Sequence, residues 1–228
     1  NSPSNPTGSV YTRGELEPLV EIIVKHRIYV LTDDIYNKII FDDADWVSIL
    51  HVNPDVKEYA LILNGVSKTY SMTGWRIGYM AGPDPIISAC TKIQSQSTSN
   101  PNSIAQMAAV AALNGPQDDV ERMVSAFAKR RQYFVERLEQ VKFVTFYPPQ
   151  GAFYIFPNFS AYYGKKYNGQ IIANSLDLTS YLMEEARIAL VPGSAFGDDR
   201  YLRFSFATSM TIIEKGMDKL EAALNRLL

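Results

Sequence analysis

The residues of this chain best equipped for chemistry are Lys68 and Arg76, eight residues apart in the run Asn64-Gly65-Val66-Ser67-Lys68-Thr69-Tyr70-Ser71-Met72-Thr73-Gly74-Trp75-Arg76-Ile77-Gly78-Tyr79. The run lies between two apolar stretches, Ala60 to Leu63 and Ile77 to Ala81. A lysine just beyond a buried strand loses hydration and becomes a nucleophilic amine. An arginine held nearby grips an anion with a planar fork of donors. A Schiff-base lysine beside a phosphate clamp is the minimum equipment for binding pyridoxal phosphate. A solvated lysine and a surface arginine would explain the same pair, so the cofactor's other demands decide.

Those demands are specific. The aldehyde needs an amine, the pyridine nitrogen a carboxylate, the phenolic oxygen hydrogen-bond donors, and the phosphate a basic cradle. An amino-acid substrate then needs a cation for its α-carboxylate. Lys68 supplies the amine and Arg76 the phosphate grip. Asp33 pairs with the protonated ring nitrogen, keeping the ring able to accept electrons. Tyr36, three residues on, donates to the phenolic oxygen if the chain coils after Asp33. Asn5, in the turn Asn5-Pro6-Thr7-Gly8, offers an amide to the same oxygen. Arg203, inside the apolar stretch Tyr201-Leu202-Arg203-Phe204-Ser205-Phe206, binds the substrate carboxylate. Taken singly they have plainer explanations. Asp33 with Asp34 makes a solvated strand end, Tyr36 packs with Ile39 and Phe41, and Asn5 is an ordinary turn residue. Arg203 is harder to explain away, because a buried guanidinium needs a partner.

The elements that must position these residues are legible in the pattern. Thr12 with Glu15 forms a capping box, and Leu16, Leu19, Val20, Ile23 and Val24 make an amphipathic helix over 13–26. Short apolar strands follow at 28–31, 60–63 and 77–81. Helix–strand alternation with continuous apolar strands argues for a mostly parallel α/β sheet flanked by helices. Asp33 and Lys68 fall just past carboxyl ends of strands, where open α/β sheets collect ligands. Helices are expected at 85–97, 104–113 and 117–141. Beyond them come strands at 143–147, 152–156, 188–191 and 201–206, with helices near 174–186 and 211–228, the last opened by Thr211 and Glu214. Residues 162–169 read as a surface loop. The organisation expected is the C-terminal part of a large domain over 1–116, a long connecting helix over 117–141, and a small α+β domain over 142–228.

Composition narrows the partners. The 228 residues carry 22 Lys+Arg against 24 Asp+Glu, a formal net charge of -2. That balance recommends neither nucleic acid nor an anionic membrane. Cys90 is the single cysteine, so no internal disulfide forms and, with His26 and His51 far apart, no metal cluster is expected. A reducing, cytoplasmic location fits best. The opening on Asn1-Ser2-Pro3, already in turn chemistry, reads as a fragment lacking its upstream part.

The motifs together resemble fold-type I, class I aminotransferases that use pyridoxal phosphate. Asn5-Pro6-Thr7-Gly8, Asp33-Asp34-Ile35-Tyr36, Ser67-Lys68 through Arg76, and Arg203-Phe204-Ser205 stand in that family's order. The run 64–79 is most similar to bacterial-type aspartate aminotransferases. So are Gln96-Ser97-Thr98-Ser99 before Ile104-Ala105-Gln106, Gly151-Ala152-Phe153-Tyr154, and Val191-Pro192-Gly193. The resemblance implies a homodimer that moves an amino group from an L-amino acid, aspartate first, to 2-oxoglutarate. It assigns Lys68, Asp33, Tyr36, Asn5, Arg76 and Arg203 the roles given above. Other enzymes of this fold (aromatic or alanine aminotransferases, β-lyases) and non-catalytic sensor domains share these motifs. Three departures stand out: Asp34 where many relatives carry Glu, Gly65 where animal-type relatives carry Ser, and the absence of the family's N-terminal portion. On that last ground the chain alone is expected to be inactive.

Overall fold

The computed structural model describes residues 1–227 and divides them into two compact units: Asn1–Ser4, Ser9–Val124 and Gln150–Ala152 form one, and Asn5–Gly8, Ser125–Pro149 and residues 153–227 the other. The turn Asn5–Gly8 thus counts with the second unit. The first unit's run ends and the second's resumes inside one helix, so the expected connector contributes to both.

The first unit opens with helix α1, Arg13–His26. Its capping box is formed as expected, the Thr12 amide donating to Glu15 Oε2 at 2.8 Å. The apolar face of α1 then buries Val20 with Ile49, Val56 and Ala60, against which Ile23, Val24 and Ile62 pack. Strand β1 (Val30–Asp33), short helix α2 (Ile49–Val52) and strand β2 (Ala60–Gly65) follow. β1 and β2 pair in parallel from Val30↔Ala60 to Asp33↔Leu63. Strand β3, Gly78–Ala81, pairs antiparallel with β2, from Ile62↔Ala81 to Gly65↔Gly78. The sheet order is β1-β2-β3. Helices α3 (Asp84–Ser97), α4 (Ser103–Asn114) and α5 (Asp118–Leu138) complete the run.

The second unit builds its core from aromatic side chains. Phe134 of α5 meets Phe204 edge-on at 5.5 Å, and Phe159 stacks on Phe204 at 5.8 Å. Its sheet has the order β4-β8-β7, where β4 is Tyr154–Ile155, β7 Val191–Pro192 and β8 Leu202–Ser205. Helices α6 (Ser175–Ala186) and α7 (Met210–Asn225) cover it, burying Leu178, Leu182, Met217 and Leu220. The strands are shorter than the pattern predicts. The stretch 143–147 forms only a bridge from Thr145 to Asn158, because Phe143 takes a left-handed backbone (φ 64°) with its ring in solvent. Ala152 at φ 59° likewise delays the start of β4. Helix α7 is capped by Ser209, whose hydroxyl accepts from the Ile212 amide, and not by Thr211. The expected loop at 162–169 contains part of a hairpin, β5 (Lys166–Tyr167) with β6 (Gln170–Ile171). Asn168 and Gly169 both take positive φ at its turn, the geometry a tight two-residue hairpin demands. The expected end of the last helix, Leu228, lies outside the described residues.

Candidate active site

In the first unit, one sheet edge collects four of the six predicted residues. β1 and β2 run in parallel, so their carboxyl ends share an edge. β1 ends at Asp33 and β2 at Gly65, three residues before Lys68. The antiparallel return of β3 brings Gly78 opposite Gly65. The intervening segment is therefore a loop closed at its base, with Lys68 near one foot and Arg76 near the other. The glycines make that closure close-packed: a Cβ on Gly65 would stand 3.1 Å from Gly78 Cα and 3.2 Å from the Ile77 carbonyl oxygen.

Within the loop, Lys68 sits in a helical turn held by Tyr70 N–H to the Val66 carbonyl (3.2 Å) and Ser71 N–H to the Lys68 carbonyl (3.2 Å). Tyr70 pins this turn: its hydroxyl donates to Gln117 Oε1 at 3.1 Å. Gln117 in turn donates to the carbonyls of Ala112 and Gly115. Lys68 is half-buried, and its ammonium stands 6.0 Å from the centre of the Tyr36 ring. The adjoining Thr69 hydroxyl is buried with no hydrogen-bond partner, a state that costs about 1–3 kcal/mol. Arg76 takes φ 52°, is exposed, and donates to the Thr73 carbonyl at 3.0 Å.

Asp33 is half-buried at the end of β1, where its carboxylate accepts from the Ile35 amide at 3.3 Å. That contact starts the turn that carries Tyr36, which is closed by Asn37 N–H to Asp34 and Ile39 N–H to Tyr36. Tyr36, Ile39 and Phe41 are all buried, so the packing reading of Tyr36 and its place near Lys68 hold together. Asp34 points elsewhere: it is buried, and burial pushes its carboxyl above the ordinary range despite a 2.7 Å hydrogen bond from Thr32. The Tyr79 hydroxyl on β3 is also pushed up, by its partial desolvation and by Tyr70 beside it, although the residue as a whole is exposed.

The second unit brings the other two together. Arg203 Nη1 donates to Asn5 Oδ1 at 2.8 Å, across 198 residues of sequence. The Arg203 guanidinium lies 4.5 Å from the centre of the Tyr154 ring and 5.0 Å from that of Phe196. With Asn5 Oδ1 accepting from Arg203, the nitrogen of the same amide is its donor side. The partner that a half-buried guanidinium needs is therefore Asn5. The flanking rings went unread in the sequence; the signal was present in Gly151-Ala152-Phe153-Tyr154 and in Phe196 shortly after Val191-Pro192-Gly193.

Residues 1–220 match the model of aminotransferase class I and II. A Rickettsia felis protein named "Probable aspartate/prephenate aminotransferase" is 49% identical over 225 residues, covering 98% of this chain and 55% of that protein. The aspartate aminotransferase of Geobacillus stearothermophilus is 46% identical over 96% of this chain and 55% of its own length. Among solved structures, the aspartate aminotransferase of Rhizobium meliloti superposes with a TM-score of 0.95 at 41% identity, over 100% of this chain and 57% of that one. The chain belongs to the class I and II aminotransferase family and has its fold. It spans about half the length of the curated relatives it matches.

That family implies pyridoxal phosphate, and the donor set fits it. The first unit holds a half-buried amine, a carboxylate at a strand end, a phenol and a guanidinium at one sheet edge. These are the groups that the aldehyde, ring nitrogen, phenolic oxygen and phosphate require.

Proposed function

We propose that this chain, which spans about half the length of its curated relatives, belongs to an aminotransferase moving the amino group of aspartate to 2-oxoglutarate. The carrying observation is the sheet edge on which Asp33, Lys68 and Arg76 converge, with Tyr36 under the lysine. Names of relatives support aspartate as donor, and several also name prephenate, which makes it the second amino acceptor to test.

Lys68, Asp33, Tyr36, Arg76 and Asn5 hold pyridoxal phosphate in this reading. When bound, the cofactor supplies an electrophilic carbon and an electron-accepting ring. Asp33 offers its carboxylate to the ring nitrogen, and Arg76 offers its guanidinium to the phosphate. Arg203 takes the substrate's α-carboxylate, with its plane set by Asn5. Lys68 Nζ acts as general base, taking the proton from the substrate α-carbon and returning it later in the turnover. We further propose a homodimer in a reducing, cytoplasmic setting. Exposed Ile104 and Met107 on α4 favour a partner surface, and the lone Cys90 is suited to such a compartment.

Borohydride treatment of the whole protein with pyridoxal phosphate should fix the cofactor to the peptide holding Lys68. Lys68→Ala should abolish both that mass gain and transfer from aspartate. Full transfer activity in Lys68→Ala would sink the reading.

A further inference from the structure

The structure surrounds Arg203 with aromatic side chains from two directions, and each is fixed independently of the arginine. On β8, Arg203 and Ser205 share a face, since side chains alternate along a strand. Tyr154 stands directly opposite Ser205, so it is the diagonal neighbour of Arg203, within reach of a long side chain. Its ring leans on Phe153 at 4.8 Å, and Phe153 on Phe127 of α5 at 5.4 Å. On the other side, β7 pairs with β8 at Val191↔Arg203. The short 3-10 helix Gly193–Phe196 follows immediately and ends on Phe196. The Phe196 ring is held edge-on by Phe156 at 5.8 Å, and Phe156 stacks on Tyr201 at 4.8 Å with 14° between planes.

The guanidinium therefore has neighbours of two kinds. Asn5 accepts from one nitrogen in the donor plane, while two rings lie at cation–π distance. An arginine so held does not search rotamers before gripping a carboxylate, and its planar fork stays aimed for two parallel hydrogen bonds.

The geometry points to Tyr154 and Phe196 as positioning residues for carboxylate recognition: they hold the Arg203 guanidinium ready for a carboxylate and contribute no donor to it. The inference rests on the reading of Arg203 as the α-carboxylate ligand. It confines the effect of either ring to ligands carrying that carboxylate. Losing one ring should weaken carboxylate binding by about threefold to thirtyfold, the range of a cation–π contact from exposed to desolvated.

The test uses the whole protein with cofactor and measures equilibrium binding of succinate, a dicarboxylate that cannot react, alongside KM and kcat for aspartate. Phe196→Leu, at a half-buried position that tolerates a change of shape, and Tyr154→Leu should each raise the succinate Kd and the aspartate KM. Phe196→Tyr and Tyr154→Phe, which keep a ring, should restore binding to within about twofold of the parent, the low end of such a contact. Turnover of an amine lacking an α-carboxylate should not change in any of the four. Arg203→Lys separates the two claims. If it raises the succinate Kd while both leucine variants match the parent, the positioning role is overturned and the role of Arg203 survives. If Arg203→Lys leaves the Kd unchanged, the reading of Arg203 falls and the positioning role with it. If the leucine variants slow the carboxylate-free amine as much as aspartate, the rings serve the fold alone and the inference is again overturned.

Discussion

Replacing Gly193 by alanine tests how the second unit holds Arg203. A Cβ at this position would overlap the backbone carbonyl oxygens of Asp198 and Tyr201. Neither is the end of a flexible side chain, so the overlap cannot be relieved by a rotamer change. Relief requires the segment 198–201 to move away, which breaks the Gly193 N–H to Tyr201 bond (2.8 Å) and the Asp198 N–H to Gly193 bond (3.2 Å). Each lost bond costs about 1 kcal/mol if its groups reach water, and up to about 3 kcal/mol if they stay buried. Two such bonds amount to about 2–6 kcal/mol. Alanine returns up to about 1 kcal/mol by restricting the unfolded chain, which leaves a loss of about 1–6 kcal/mol. For a chain of this size the fall in Tm is roughly 2–24 °C. The loss should be read by urea denaturation of the whole protein, with near-UV circular dichroism reporting the Phe156–Tyr201 stack. Hydrogen exchange at the Asp198 amide should accelerate in parallel, and succinate binding should weaken because Phe196 and Arg203 are positioned from this junction. A stability loss under about 1 kcal/mol with unchanged exchange at Asp198 would refute the steric argument.

Two further outcomes concern buried charge. Burial raises the folded-state affinity of the Asp34 carboxyl for its proton above that in the unfolded chain. The stability this group allows is thus fully present below the unfolded value, about 3.9, and is lost as pH rises through the higher folded value. The gap between the parent and Asp34→Asn should therefore widen against the parent across that window and stay flat above it; urea midpoints in acid and at neutral pH that show a constant gap would contradict this. Arg137 joins α5 to α7 through Glu221 (2.9 Å) and Asp218 (2.8 Å), and its side chain is only 17% exposed. Arg137→Met should cost about 1–3 kcal/mol, a loss that shrinks in 1 M salt because Asp218 is open to solvent. A midpoint unchanged from the parent would show the pairs to be inert.

The sequence by itself placed Asp33, Tyr36, Lys68 and Arg76 just past two strand ends, because the features that place them are local. A capping box opens α1, apolar runs mark β1 and β2, and Asp33 and Lys68 follow those runs within a few residues. Arg76 lies in the same short loop as Lys68, closed where Gly65 meets Gly78. Strand lengths in the second unit were not legible, since the left-handed backbones of Phe143 and Ala152 leave no mark in residue type. Nor was the hairpin at Asn168-Gly169 singled out, although its turn residues were on view. Only the tertiary structure decided what surrounds Arg203. Asn5 meets it across nearly the whole chain, Tyr154 arrives by strand register, and Phe196 by the turn after β7. Sequence periodicity fixes which way a side chain faces along its own element, but which distant element supplies its neighbour depends on how the whole core closes. A guanidinium inside an apolar strand announces that it needs partners; packing chooses them.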